Sequence, residues 1–345
     1  MKTNMKKLFA AVGIATFGML AVSSGAWAEA LEKQKVSIAV GGKNLFYYLP
    51  LTIAEQLGYF KDEGLQVEIS DFAGGAKALQ ALVGGSADVV SGAYEHTINM
   101  QAKNQVITAF VLQGRAPQIV FGVSNKTMPN YKSIADLKGK KIGVTAPGSS
   151  TNIVANYVLA KGGLKPTDVS FIGVGTAAGA ISALRSGQID AISNLDPVIT
   201  MLQQKNEIKV IADTRTLKDT KDLFGGPMPA ATLYTTEAFL QKNPHTTQAL
   251  TNAMVRALKW LQKAGPSDIV KVVPESYQLG DRALYLDAFS KVREALSPDG
   301  RFPEEGPQTA LKTLQAFEPD LADKKIDLSK TFTNELVKNA NAKYK

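Results

Sequence analysis

The chain contains no cysteine, so it can form neither disulfides nor thiolate metal sites, and it offers no thiol for a lipid anchor. Histidine is nearly as scarce, with His96 and His245 the only two. A cysteine nucleophile is therefore excluded, and imidazole acid–base chemistry is confined to two positions. Neither the serine-elbow spacing nor a cluster of metal-ligand residues occurs, which leaves no catalytic or metal residue to nominate and implies no cofactor. Lysines and arginines are scattered and not interleaved with aromatics, a pattern that argues against nucleic acid as a partner. Beyond the first thirty residues no apolar run approaches the ~20 residues that a spanning helix needs.

The N-terminus does carry a short apolar run. Lys2, Lys6 and Lys7 precede the stretch Leu8 to Val22, and Ala26-Trp27-Ala28 forms a small-x-small exit. This three-part pattern predicts a cleaved signal peptide over 1–28 and a soluble periplasmic protein that is not lipid-anchored. The full sequence has 345 residues and a formal charge of +8. Three of the lysines lie in the leader, so the mature chain is only mildly basic. That length exceeds the size at which one hydrophobic core usually divides, and two lobes are expected.

One spacing occurs twice. From Ala78 the chain reads ALQALVGGSADVVS and from Ala180 it reads AISALRSGQIDAIS. Ala78/Ala180, Ala81/Ala183, Leu82/Leu184, Gly85/Gly187, Asp88/Asp190 and Ser91/Ser193 coincide. Apolar residues three and four apart make one helix face, a Gly ends the helix, and a short apolar run after Asp makes a buried strand. Each copy is half of a βαβ unit, so an α/β fold with one parallel-type sheet per lobe is predicted. In open sheets of this kind ligands gather beyond the carboxyl ends of the strands, which places a ligand between the lobes.

The lobes are drawn as 29–120 with 225–345, and 121–224. The crossings fall at Gln118 to Val123 and at Asp222 to Ala231, the latter punctuated by Gly225, Gly226, Pro227 and Pro229. Two crossing strands make a hinge. A helical C-terminal extension, Pro244 to Lys263, Asp281 to Leu296 and Gly306 to Phe317, is expected to pack on the first lobe.

The run LPLTIAEQLGYFKDEGLQVEI, Leu49 to Ile69, together with the two A-L-x-x-G-x-x-D copies, resembles the nitrate, taurine and aliphatic-sulfonate type of periplasmic substrate-binding proteins of ABC importers, within the thiamine-pyrimidine-precursor-like superfamily. The resemblance covers about Val36 to Thr236. It implies a two-lobed type II binding-protein fold that captures a small molecule, delivers it to the transmembrane subunits of an ABC permease, and works as a monomer without catalysis. The ligand class expected is a small organic anion: a sulfonate, a taurine-like molecule or an aromatic carboxylate. A thiamine pyrimidine precursor or similar heterocycle is the alternative, and an enzyme on the same scaffold is a second one. The cysteine-rich motif of the pyrimidine synthases is absent.

Candidate ligand contacts follow the strands. Ser149, Ser150, Thr151 and Asn152 open a helix after a strand, and first-turn N–H groups with a positive dipole end suit an anion. Ordinary helix capping by the same hydroxyls is the other reading. Lys43, Asn44, Phe46 and Tyr47 form a loop with aromatic and amide chemistry, although any one ring there can equally be core. Phe72 precedes Gly74 and Gly75, where a missing Cβ lets a ligand reach the backbone. Tyr94 and Glu95 follow the first repeat strand; Glu95 either points outward, pairs with Arg115, or receives an N–H or cationic group of the ligand. Arg115 is either a bidentate clamp for a carboxylate or sulfonate or a surface residue at the hinge. Asn194 is the cleft candidate after the second repeat strand, with Asp196 as a helix cap.

Overall fold

A computed structural model describes residues 30–345, and the predicted leader lies outside them. Ten strands form two five-stranded sheets. The first holds β1 (Lys35–Val40), β2 (Gln66–Asp71), β3 (Val89–Ala93) and β4 (Ile107–Leu112). The second holds β5 (Ile119–Ser124), β6 (Lys141–Val144), β7 (Ser170–Gly173), β8 (Ala191–Leu195) and β9 (Ile208–Asp213), and β10 (Ala231–Thr236) returns to the first. The orders are β2-β1-β3-β10-β4 and β7-β6-β8-β5-β9.

The architecture is the expected two-sheet α/β one, with a difference of strand sense. β1, β2 and β3 run parallel, as do β6, β7 and β8. β10, however, lies antiparallel between β3 and β4, and β5 lies antiparallel between β8 and β9. Each sheet is therefore mixed. The strand that arrives after a change of sheet enters from the hinge end, against the direction of its neighbours.

The repeated motif does the same work in both sheets. Asp88 accepts the Ser37 amide at 2.9 Å, and Asp190 accepts the Lys141 amide at 3.0 Å, so each carboxylate ties the start of its own strand to the parallel strand beside it, β1 or β6. Gly85 and Gly187 sit at φ +75° and +82° just past their helices, in a left-handed region that costs glycine little. The alternate residues of β5 and β8 then divide between two cores. Val120 and Ile192 face the repeat helix Ala178–Ser186 and the helix Val198–Gln204, while Phe121, Val123 and Ala191 face the helix Ser150–Lys161.

The crossings differ from those read in the sequence. Ile119–Ser124 is an interior strand of the second sheet, and the first crossing is the segment Gln113 to Gln118. The return runs from Thr214 to Ala230 and contains the helix Leu217–Phe224. The two passes are paired at both ends. Gly114 donates to the Ala231 carbonyl at 3.1 Å and Ala230 to the Gly114 carbonyl at 3.0 Å, while Gln118 donates to the Thr214 carbonyl at 3.0 Å. The C-terminal helices also depart from the expectation, because they touch both halves. The helix Pro244–Lys263 packs on Leu49–Gln56, whereas Arg282–Val292 packs on Val198–Gln204 and Gly306–Gln315 on both Glu95–Gln101 and Ser150–Lys161.

Behind β8, Asp196 accepts the Thr200 amide at 2.7 Å, as a cap for the next helix. Its other oxygen pairs with Arg215 at 3.2 Å, and Arg215 also binds Asp213 at 2.5 Å. Removing one partner of a buried pair strands the other charge, at a cost of about 3–5 kcal/mol. Arg215→Met is expected to lower unfolding stability by that amount in urea denaturation. A loss below about 1 kcal/mol would show that Asp196 is not held by this pair.

Candidate functional site

The carboxyl ends of β1, β2 and β3 face those of β6, β7 and β8, and the loops between them meet. Asn44 donates its Nδ2 to the Thr176 carbonyl at 2.9 Å and accepts the Thr176 hydroxyl at 3.1 Å. The Ala76 amide donates to the Ser149 hydroxyl at 2.9 Å. Gly74 and Gly75 are where this contact is tightest. A Cβ placed on Gly74 would stand 2.8 Å from the Ala146 Cβ, 3.0 Å from the Ala146 amide and 3.1 Å from the Ser149 hydroxyl, all of them on the opposite side. Apolar burial adds to the closure, since Ile153 and Val154 at the start of the helix Ser150–Lys161 join the first sheet's core.

Polar groups without partners collect behind that contact. Glu95 is 0% exposed, and neither of its carboxylate oxygens has a hydrogen-bond partner. Burial raises its pKa to about 7, against a smaller downward pull from its own backbone amide. The hydroxyls of Tyr47, Tyr48 and Tyr234 are close enough to Glu95 to feel its charge, and burial holds all three phenols far above their ordinary range. The Tyr47 hydroxyl approaches Ser150 but makes no hydrogen bond of normal geometry. His96, next on the same helix, shares a 3.0 Å hydrogen bond with the Tyr234 hydroxyl through Nδ1. Its Nε2 is buried and unpartnered, and burial holds its pKa down to about 4, with the Gly148 carbonyl acting in the opposite sense. At the hinge, the Gln113 Oε1 and both amide atoms of Gln118 are likewise buried and unpaired.

The remaining candidates are distributed as follows. Thr151 is turned into its own lobe, where its hydroxyl accepts the Thr145 amide at 3.1 Å. The Asn152 Oδ1 accepts the Gly148 amide at 2.9 Å, leaving its Nδ2 unpaired. Asn194 spends its amide on the Gly175 carbonyl and accepts the Leu195 amide. Phe46 packs on Tyr285 and Phe289, with ring centroids 4.5 and 5.9 Å away. Tyr94 shares a 2.5 Å hydrogen bond with Thr331 and lies against Phe302 and Phe332. Lys43 pairs with Glu55 at 2.5 Å, and Phe72 is half-buried at the end of β2. Arg115 gives its Nη2 to the Glu294 carbonyl at 2.8 Å, towards the C-terminal helices. Glu95 makes no ion pair with it.

Tyr48, Tyr234, Gln113 and Gln118 were not among the candidates read from the sequence. Tyr48 stood inside the loop already singled out. Tyr234 reaches the site on β10 from far along the chain, which no local pattern signals.

The sequence signature of the NMT1-like family matches residues 29–273. The chain belongs to that family. A solved structure from Bordetella bronchiseptica RB50 is 65% identical, covering 92% of this chain and 99% of that one at a TM-score of 0.90. YtlA of Bacillus subtilis, named as a binding protein, is 26% identical over 84% of this chain and 85% of its own length. The alkanesulfonate-binding protein SsuA from Xanthomonas axonopodis pv. citri bound to MOPS shares the fold at 19% identity, with a TM-score of 0.67 over 88% of this chain and all of that one. The family thus has the two-lobed binding-protein fold.

Glu95 gives the closed protein a pH signature. Its folded pKa of about 7 lies above the ordinary 4.5, so its stabilising contribution is complete below pH 4.5 and is lost as the pH rises through 7. Between pH 5 and 8 the closed form, with Glu95 out of water, is expected to lose on the order of 2–3 kcal/mol of stability relative to Glu95→Gln. Urea unfolding of both proteins at the two pH values measures this gap. An unchanged difference would mean that the carboxyl is not buried alone.

Proposed function

We propose that this protein is the exported, periplasmic solute-binding component of an ABC importer, that it holds a small organic anion between its lobes as a monomer, and that it hands this cargo to a membrane permease. The observation that carries the reading is the closed contact at Gly74 with buried, unpaired polar groups behind it. Such groups cost free energy unless something satisfies them, and a solute enclosed between the lobes does so. Ser150 supports an anionic head. Its hydroxyl stands beside Tyr47 at the start of a twelve-residue helix whose first-turn amides point the same way. The binding-protein name of YtlA and the alkanesulfonate-binding title of SsuA agree with this class of role.

Transport also requires the cleft to open. The paired crossings at Gln113 to Gln118 and Thr214 to Ala230 supply a hinge. Gly74→Val tests closure directly, because its φ of 174° is open to any residue and its clashes are all with the facing loop. The variant should keep the melting temperature of the ligand-free protein and lose at least tenfold in affinity for a ligand found by thermal-shift screening of sulfonates and aromatic carboxylates. Small-angle scattering should show a smaller radius of gyration on binding for the wild type alone. Full affinity in the variant would mean that the lobes do not close on the ligand.

A further inference from the structure

We infer that the solute carries, besides its anionic head, a protonated nitrogen group whose N–H donors pair with the Glu95 carboxylate. This rests on the reading of the interlobe cleft as the ligand site, and it narrows the ligand to amino-substituted organic anions.

Charge pairing carries the argument. Among the described residues the fully buried charged side chains are Glu95, Asp196 and Arg215, and the last two bind each other at 3.2 Å. Glu95 is left without a cation. The groups around it are Tyr47 and Tyr48 from the loop after β1, Tyr94 and His96 from its own helix, and Tyr234 from β10. None of these is a cation at neutral pH, since burial keeps His96 neutral. Arg115 makes no ion pair with Glu95: its Nη2 goes to the Glu294 carbonyl, and its Nε is buried without a partner.

A solute that is only an anion would be buried beside an unpaired carboxylate, whose repulsion adds to the cost of its own desolvation. A solute with an ammonium, amidinium or guanidinium supplies the missing charge, and two N–H donors match the two empty oxygens. The tyrosine rings add faces on which such a cation can rest. The anionic end is then left to the Ser150 and Thr151 amides, with the Tyr47 hydroxyl between the two poles. Pairing with a cation favours the ionised carboxyl, so affinity for such a solute should rise from pH 5.5 to 8 and level off above the point where the empty site has lost its proton.

The test compares matched pairs that differ only in the nitrogen: taurine against propanesulfonate, and 4-(aminomethyl)benzoate against 4-ethylbenzoate. Titration calorimetry is run at pH 5.5 and 8 on the wild type, on Glu95→Gln, which keeps the shape and loses the charge, and on Glu95→Asp. The inference expects at least one aminated member to bind at least tenfold more tightly than its partner. That preference should vanish in Glu95→Gln, survive in part in Glu95→Asp, and strengthen with pH in the wild type. If the members without nitrogen bind as well, with Glu95→Gln unaffected, the inference falls while the capture of an anion between the lobes stands. Binding by no member of either series also overturns it, and the Gly74→Val experiment with a screened ligand then judges the transport reading separately.

Discussion

A carboxyl group removed from water must find a counter-charge, find hydrogen-bond donors, or take up a proton. Glu95 has been given neither charge nor donors by the protein. It sits at the start of a helix behind β3, with phenol rings from two other elements around it and the second sheet's loops closed across the front. That closure depends on Gly74, where any side chain would strike Ala146. Two features that look minor in isolation, a missing Cβ and an unpaired acid, are therefore parts of one arrangement. The glycine lets the facing loops of the two sheets meet, and that contact covers the acid.

The hinge follows from the mixed sheets. A chain that leaves one sheet and enters the next comes from the side where both sheets' carboxyl ends meet, so its first strand must run against the strands beside it. β5 and β10 are those strands, and both are interior. The crossings before them hydrogen bond to each other at either end, which keeps the hinge narrow. The first crossing also buries the Gln113 Oε1 and both amide atoms of Gln118 without a partner. The C-terminal helices straddle the two halves, so motion about this hinge has to slide Arg282–Val292 along Val198–Gln204 or carry it along.

Much of this fold is legible in the sequence because it is written in local patterns. The duplicated A-L-x-x-G-x-x-D spacing marks a helix, its glycine stop and a buried strand, and the two aspartates prove to make equivalent bonds to the neighbouring parallel strands β1 and β6. Strand direction was less accessible. The apolar run Gln118 to Val123 reads equally well as a crossing or as an interior strand, since both are extended and buried, and only its neighbours Val210 and Ile192 separate the cases.

The site divides along the same line. Sequence alone determined that Tyr47, Gly74, Gly75, Glu95 and Ser150 lie just beyond strand ends, where the next helix begins, because strand ends and helix starts are set by residues a few positions apart. It also determined that no cysteine chemistry is possible. Only the tertiary structure decided which way each side chain turns: Tyr94 and Phe46 into the C-terminal helices, Thr151 into its own lobe, Arg115 to a carbonyl of the C-terminal region, and Glu95 into the interior without a partner. The reason is physical. Whether a polar group is satisfied depends on atoms that arrive from anywhere in the chain, as Tyr234 does from β10, and such meetings leave no trace in the spacing of neighbouring residues.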